Sequence, residues 1–265
     1  MKVYTIPYEM GRISKAEKFK MLRLLVTFDY FGFGRKKDMV DIVSNPPKSV
    51  LIDSGVYSLI SHEVPLVKID TDEYVFGYIK TLRTVGEFVN VDGFFEFDWY
   101  KGIGVEGVEY YRKILEREVN LKMIPVWNVK LLDSDYLEKL CRSYDYVAIG
   151  GMALNRETNV FRNYIHLLRL LYDLKRRYNT KFHLLGMGAI KDLEMIREVA
   201  YSCDSSLLKV MAGHKHFSVI IDGRPYSVQA NKNLRHTIDW ALDQCVAVMQ
   251  ALEREEEGEN ENGNC

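Results

Sequence analysis

Short apolar runs that end in an acidic residue or a glycine pair recur along this chain. Four of them are Val50–Asp53, Phe94–Asp98, Val147–Gly151 and Tyr201–Asp204. Such a run is typical of a buried parallel strand that delivers a polar group to the carboxyl edge of a sheet, where α/β enzymes build their sites. Because several runs end in this way, we expect their polar ends to share one pocket.

Seven segments are predicted as strands because they are apolar runs bounded by glycine, aspartate or asparagine. Six of them are residues 22–28, 50–53, 94–98, 122–127, 146–150 and 182–186, and the seventh is a short run that ends at Asp204. An eighth strand is expected near Leu207–Ala212 or Phe217–Ile221. Helical patterns cover residues 106–119, 133–141 with Asp133 as the cap, 161–178, 190–200 and 233–252.

Strands that alternate with helices imply right-handed crossovers and a parallel sheet, which is either closed as a barrel or open and doubly wound. Polar strand ends distributed over the whole chain favour the closed form, a single (β/α)8 TIM-like barrel of the α/β class. A chain of 265 residues suits one such domain. We therefore expect a barrel domain over residues 1–250. Residues 251–265 should form a disordered acidic tail, because they lack large apolar side chains after Leu252.

Composition indicates an ordinary soluble protein, with 47% hydrophobic residues and a formal net charge of −1. No apolar segment follows a basic start, and no uncharged stretch approaches about 18 residues, so a cytoplasmic protein without a membrane partner is expected. The four cysteines are too widely spaced for a paired-cysteine zinc site and too few for a disulfide scaffold. We expect reduced thiols, no bound metal and no cofactor.

The small net charge hides an asymmetry along the chain. The last fifteen residues hold six glutamates and one arginine, so the other 250 carry 35 basic and 31 acidic side chains, a formal +4. Lys209, Lys215 and Arg224 belong to a basic group that begins shortly after Asp204. Such a group is ordinarily solvated surface, because Lys and Arg are mostly exposed. Its position directly after Asp204 also makes these three residues candidates for contacts with nucleic-acid phosphates.

Asp53 and Asp204 are 151 residues apart in sequence, and in a barrel both would lie on the same rim. Two rim carboxylates suit a nucleophile and a general acid/base acting on an acetal-type carbon, as in retaining glycoside chemistry. Either aspartate alone could instead cap a helix or a turn. Asp98 lies among aromatic residues that could belong to the core or to a base-binding cage.

Five short motifs occur in the order seen in the tRNA-guanine transglycosylase family. They are Asp53-Ser54-Gly55-Val56-Tyr57, Phe97-Asp98, Ala148-Ile149-Gly150-Gly151-Met152-Ala153, His183-Leu184-Leu185-Gly186-Met187-Gly188 with Asp192-Leu193, and Cys203-Asp204-Ser205-Ser206. The chain especially resembles the DNA-guanine transglycosylases, which install 7-deazaguanines in phage and bacterial DNA. The resemblance implies that a guanine in DNA is exchanged for a preQ0-like base, in the cytoplasm of a bacterial or infected host cell.

The resemblance also assigns the reacting groups. Asp204 matches the nucleophile that attacks C1′ and expels guanine to form a covalent glycosyl-enzyme. Asp53 matches the general acid/base that manages the proton of the leaving and incoming bases. Tyr57 matches the aromatic residue that stacks on the base, and Asp98 matches the carboxylate that binds its Watson–Crick edge.

The remaining base contacts come from the middle of the chain. Gly150, Gly151 and Met152 match the glycine-rich turn whose backbone faces the base, and Leu185 matches the apolar residue that covers its other face. A Gln-Gly-Gly expected after the fourth strand is replaced here by Val126-Trp127-Asn128, so either Asn128 reads the base edge or no residue at this position does. Paired glycines could also simply turn the chain sharply.

Two departures from the family concern the nucleic acid. The tRNA enzymes carry a Cys-x-Cys-x-x-Cys plus His zinc motif that this chain lacks, and their Pro-Thr-Arg after the nucleophile is here Ser205-Ser206-Leu207. These differences favour DNA over tRNA as the partner. Guanine in a duplex is out of reach inside the stack, so the target must be flipped out or single-stranded. A tRNA-directed transglycosylase and a non-catalytic nucleotide-binding barrel are the alternatives.

Overall fold

The computed structural model describes residues 1–6, 14, 17–28, 36–61, 69–151, 160–187, 196–205, 216–221, 224–229, 243 and 245–250. The strands are β1 (Lys2–Thr5), β2 (Arg23–Thr27), β3 (Ser49–Asp53), β4 (Val91–Phe95), β5 (Met123–Ile124), β6 (Val126–Asn128), β7 (Tyr146–Gly150), β8 (Lys181–Leu184), β9 (Ala200–Ser205), β10 (His216–Ile221) and β11 (Arg224–Gln229). The α-helices are α1 (Lys36–Ser44), α2 (Val56–Ser61), α3 (Thr71–Phe88), α4 (Tyr100–Glu118), α5 (Ser134–Ser143) and α6 (Val160–Tyr178), and a 3-10 turn covers Glu17–Met21.

The first nine strands form one parallel sheet in the order β5-β4-β3-β2-β1-β9-β8-β7-β6. Its two terminal strands, β5 and β6, are consecutive in the chain and only Pro125 separates them. Proline has no backbone N–H and interrupts a ladder, but the Pro125 carbonyl still accepts a hydrogen bond from the Ala148 amide at 2.8 Å. The nine segments therefore act as eight barrel strands, one of them interrupted, in an α/β TIM-like barrel.

The strand that completes the barrel is β1, at the start of the chain. It pairs with β9 from Lys2↔Ser202 to Thr5↔Ser205, and with β2 at Thr5↔Leu24. A strand does lie at the expected position Phe217–Ile221, but its assignment to the barrel was wrong, because it is β10, which pairs antiparallel with β11 in a separate sheet. The other expected position, residues 207–212, lies outside the described residues.

Alternate residues of each barrel strand face two different cores, as the period of two in a β-strand requires. Inside the barrel, Leu51 and Phe95 lie in a cluster with Tyr4, Leu25, Ile124, Val126, Tyr146 and Ala148. Outside it, Ile52 and Phe94 belong to the larger core between sheet and helices. Apolar strands buried on both faces explain the nearly continuous hydrophobic runs in the sequence.

A buried ion pair supports the wall of the barrel where Pro125 interrupts it. Glu96, which follows β4, accepts two hydrogen bonds from Arg112 of α4, at 2.5 Å to Oε2 and 3.0 Å to Oε1. Its Oε1 also accepts the Val126 amide at 2.7 Å and the Tyr100 hydroxyl at 3.1 Å. The carboxylate thus links β4 to the first residue after the proline.

Several predicted helices are confirmed. Asp133 caps α5 by accepting the Tyr136 amide, and α6 begins one residue before the predicted Phe161. The helix predicted from Glu106 begins earlier, at Tyr100, and is kinked at Gly104. The predicted helix 190–200 extends too far, because Ala200 already belongs to β9.

Residues 243 and 245–250 are helical, within the predicted final helix, whereas the predicted tail 251–265 lies outside the described residues. Cys141, Cys203 and Cys245 are buried free thiols. Among the helices that the structure describes, none is long and apolar enough to cross a membrane.

Candidate active site

The carboxyl edge of the barrel brings together three aspartates that the sequence singled out. Asp53 is the last residue of β3, Asp204 lies near the end of β9, and Asp98 comes three residues after β4. Their charges interact: the charge of Asp204 raises the pKa of Asp53, and the charge of Asp53 raises the pKa of Asp98, in each case in addition to burial. The three aspartates that the strand pattern singled out are therefore close enough for their charges to interact.

Asp53 is positioned by a tight turn immediately after its strand. Gly55 has φ +82°, and its amide donates to Asp53 Oδ2 at 3.3 Å. Burial raises the pKa of Asp53 to about 6, and the charge of Asp204 adds to the rise; hydrogen bonds from the backbone at Gly55 and Ser54 and from the Thr27 side chain oppose it. A carboxyl with a pKa near 6 can act as a general acid and a general base near neutral pH.

Asp98 interacts with Asp53, and its pKa is raised further than that of Asp53. Burial raises its pKa to about 8, with further rises from the charges of Asp53 and Glu96. The Ser54 hydroxyl donates to its Oδ1 at 3.3 Å. At neutral pH Asp98 therefore keeps its proton in the structure as it stands, and it can act as a donor as well as an acceptor toward a polar ligand.

Asp204 is 4% exposed, and the hydrogen bonds that hold it converge on one oxygen. The Gly186 amide donates to its Oδ1 at 2.7 Å, and His183 Nε2 lies 3.3 Å from the same atom. Gly186 adopts φ +72° in the turn after β8, which aims its amide at the carboxylate. Both of these contacts engage Oδ1, and neither engages Oδ2.

Behind Asp204 lies a row of polar side chains inside the barrel that sequence reasoning missed. His183 Nδ1 is 2.6 Å from Ser202 Oγ, which is itself 2.6 Å from the Tyr146 hydroxyl. His183 is fully buried, with its ring against the rings of Tyr4 and Phe95. One signal was available: Ser202 and Asp204 are two residues apart on one strand, and so share a face.

Four residues of the predicted base pocket are neighbours. Asn128 is paired in register with Gly150, and a Cβ on Gly151, which has φ +82°, would lie 2.6 Å from Asn128 Oδ1. Leu185 Cδ1 would lie 3.6 Å from a Cβ on Gly150. Leu185 immediately precedes Gly186, so this group adjoins Asp204. Asn128 Oδ1 accepts the Lys130 amide at 3.1 Å, which engages its carbonyl oxygen in a local turn.

The structure says less about the other predicted site residues, because most of them or their side chains lie outside the described part of the chain. Tyr57 lies in the first turn of α2 and is 58% exposed, so its ring is accessible to a ligand. Arg224 begins β11, but its side chain is not among the described ones; Met152, Lys209 and Lys215 lie outside the described residues. Among the described His, Cys, Asp and Glu side chains, no group of three or more is arranged to hold a metal ion.

The chain matches no protein-family model and no curated protein. Among solved structures, it is similar to the carboxyl transferase domain of Rhizobium etli pyruvate carboxylase with oxalate, at 10% identity and a TM-score of 0.42, over 96% of this chain and 47% of that one. It is also similar to the complete multifunctional pyruvate carboxylase of Rhizobium etli, at 11% identity and a TM-score of 0.44, over 95% of this chain and 28% of that one. The chain spans less than half the length of either structure.

Proposed function

We propose that this protein is a base-exchange transglycosylase that replaces guanine in DNA with a preQ0-like 7-deazaguanine through a covalent aspartyl-glycosyl intermediate. The observation that carries the proposal concerns two interacting carboxyls: the hydrogen bonds that hold Asp204 and the raised pKa of Asp53. The described contacts of the Asp204 carboxylate, from Gly186 and His183, both hold Oδ1, and Asp53 has a pKa raised to about 6. A double displacement at an anomeric carbon needs one carboxylate as nucleophile and one carboxyl as proton donor.

In the first step, Oδ2 of Asp204 attacks C1′ of the nucleotide while the bond from C1′ to N9 of guanine breaks. The electron pair of that bond goes to the departing base, and Asp53 supplies the proton that the base takes up. A raised pKa suits this role because Asp53 retains a useful protonated fraction near neutral pH.

In the second step, the incoming base gives its N9 proton to the Asp53 carboxylate and attacks C1′. The bond between C1′ and Oδ2 breaks, and its electron pair returns to Asp204. Atoms and charge balance without an oxidant, a metal or another cofactor, and each aspartate ends the cycle as it began.

We assign base recognition to the residues that the family resemblance indicates. Asp98 faces the Watson–Crick edge, because a carboxyl that carries or releases a proton can meet either a donor or an acceptor there. Tyr57 stacks on one face, and Leu185 with Gly150, Gly151 and Met152 encloses the other. An unpaired polar edge on a buried base would cost about 1–3 kcal/mol, so such partners are needed.

The covalent step is tested with Asp204→Asn. This change keeps Oδ1 for Gly186 and His183 and removes only the nucleophilic oxygen, so we expect a folded protein without base exchange. Wild-type protein given nucleic acid but no incoming base should form an adduct that survives denaturant. Asp135→Asn, at an exposed position of α5, is the matched control and should stay active. Base exchange by Asp204→Asn would refute the assignment.

The substrate is tested by offering labelled guanine or preQ0 together with DNA and, separately, with tRNA. Label in DNA would support the proposal, and its binding step should weaken with salt, as phosphate contacts by Lys209, Lys215 and Arg224 require. Label in tRNA alone would replace DNA by tRNA as the substrate. Label in neither would favour a non-catalytic nucleotide-binding barrel.

A further inference from the structure

Inside the barrel, four polar side chains from three neighbouring strands form a continuous hydrogen-bonded row. Tyr146 of β7, Ser202 of β9, His183 of β8 and Asp204 of β9 follow one another at 2.6, 2.6 and 3.3 Å. Ser202 and His183 are fully buried and Tyr146 nearly so. Burying so many polar groups costs free energy unless each is paired. Their placement behind Asp204 therefore calls for an explanation beyond packing.

The direction of the hydrogen bonds follows from the two ends of the row. At one end, a carboxylate oxygen can only accept, so the atom facing it, His183 Nε2, must carry a proton. At the other end, burial raises the pKa of Tyr146 above its usual range, so its hydroxyl keeps a proton to donate. Ser202 has a single O–H. If it accepts from Tyr146, that O–H points to His183 Nδ1.

The opposite direction of hydrogen bonding would leave the Asp204 carboxylate without a donor at His183. If Ser202 donated to Tyr146, His183 Nδ1 would have to donate to Ser202. In the singly protonated ring, Nε2 would then turn a lone pair toward Asp204 Oδ1, at 3.3 Å. The two ends thus select one tautomer of the ring, and aromatic contacts with Tyr4 and Phe95 restrict its rotation.

We propose that His183, held by Ser202 and Tyr146 as the tautomer with its proton on Nε2, is a positioning residue that fixes Oδ1 of Asp204 and directs Oδ2 toward the reacting carbon. This inference rests on the proposed function of Asp204 as the nucleophile. When the covalent bond forms through Oδ2, Oδ1 becomes the carbonyl oxygen of the ester. The Gly186 amide and His183 Nε2 still donate to it, and they stabilise the carboxylate again when the incoming base displaces it.

Base exchange by substituted proteins tests the inference. His183→Leu should lower kcat about 10- to 100-fold, the range typical of a residue that orients a reacting group, with KM for the incoming base unchanged. His183→Gln, whose amide N–H can reach Asp204, should recover most of the loss. Ser202→Ala should lower kcat less, because the donor remains while its tautomer is no longer fixed. Tyr201→Phe, next to Tyr146 but outside the row, is the control and should leave kcat unchanged.

Equal kcat for wild type, His183→Leu and His183→Gln would overturn the inference. So would a loss that appears only in KM, since a positioning residue acts on the step rather than on affinity. Urea unfolding of each variant shows whether it folds; if His183→Leu does not, the comparison of Ser202→Ala with Tyr201→Phe decides the question.

A second measurement does not depend on activity. In protein labelled with ¹⁵N at its six histidines, the His183 resonances, assigned by their loss in His183→Gln, should show a protonated Nε2 and an unprotonated Nδ1. The Ser202→Ala change should shift this balance. A proton on Nδ1, in the other tautomer or in the imidazolium, would overturn the inference. Absence of base exchange in wild type together with the expected tautomer would instead count against the proposed function.

Discussion

Asp53 has a pKa near 6, so its carboxyl changes charge within the pH range in which proteins are usually studied. Its pKa is higher in the folded state than in the unfolded one, so the folded protein binds the additional proton between about pH 4 and 6. Stability from this group therefore falls as pH rises through that window, and the full penalty is present above it. At pH 8 the penalty is about 2–3 kcal/mol.

We therefore expect Asp53→Asn to be more stable than wild type by about 2–3 kcal/mol at pH 8, and to lose this advantage at pH 4. Urea unfolding at both pH values measures the difference, with Asp135→Asn as a control that should show no such pattern. In the wild type, the rate of adduct formation should decline as pH rises through about 6, since Asp53 must be protonated to expel the base. Equal stability of Asp53→Asn and wild type at pH 8 would contradict this account.

Gly55 allows a second test at the residue scale. A Cβ there would lie 2.3 Å from the Phe28 carbonyl oxygen, and the residue has φ +82°. Gly104 also has a positive φ, +71°, but a Cβ there would meet nothing within 4 Å. Both alanine substitutions strain the backbone, by about 1–3 kcal/mol, and only Gly55→Ala adds a clash with main chain.

We expect Gly55→Ala to lower the free energy of unfolding by clearly more than Gly104→Ala, and to reduce base exchange by displacing Asp53. Thermal unfolding of the two variants under the same conditions makes the comparison. Equal losses would mean that the turn after β3 can shift away from Phe28 at little cost.

At the scale of elements, the ion pair between Glu96 and Arg112 stabilises the barrel wall where Pro125 interrupts a strand. Replacing Glu96 by Gln leaves an oxygen for the Val126 amide but deprives the buried guanidinium of its countercharge. Breaking a buried pair in this way costs about 3–5 kcal/mol. Arg112→Met in the Glu96→Gln background removes the unpaired charge and should restore part of that stability.

Urea unfolding of wild type, both single variants and the double variant gives the coupling energy of the pair. Additive losses would show that Glu96 and Arg112 stabilise the barrel independently of each other. The surface pair of exposed Arg142 and partly exposed Glu138, which lies within α5, is the control cycle, and its coupling should stay below about 1 kcal/mol.

Sequence patterns within a few residues predicted several of the helices and strands. The cap of α5 was readable because Asp133 and the amide it binds are three residues apart. The kink in α4 was not, because the apolar pattern predicted a helix only from Glu106 onward, after Gly104. Pro125 was visible inside the fourth predicted strand, residues 122–127, but apolar residues flank it on both sides, so a single strand was predicted.

At the scale of the whole molecule, the barrel closes through its first strand. β1 lies between β2 and β9, so its removal would leave two long unpaired edges. Deleting residues 1–6 should therefore abolish cooperative unfolding, whereas deleting residues 251–265 should leave the midpoint unchanged, as the sequence predicts for a disordered tail. Circular dichroism during heating compares the two truncations. Cooperative unfolding without β1 would show that the open sheet is stable.

The sequence by itself determined seven barrel strands, most of helices α4, α5 and α6, and the three aspartates at or near the strand ends, because each depends on apolar periodicity and on polar residues within a short segment. Only the tertiary structure decided that Lys2–Thr5 is the eighth strand, since its pairing partners lie about 20 and 200 residues away and its four residues carry no distinctive pattern. The same holds for the chemistry of the site. That Asp53 has a pKa near 6, and that His183, Ser202 and Tyr146 stand behind Asp204, follow from burial and from distances between strands far apart in sequence. Such properties arise only when the sheet closes, because it is closure that excludes water and sets these groups within hydrogen-bonding reach.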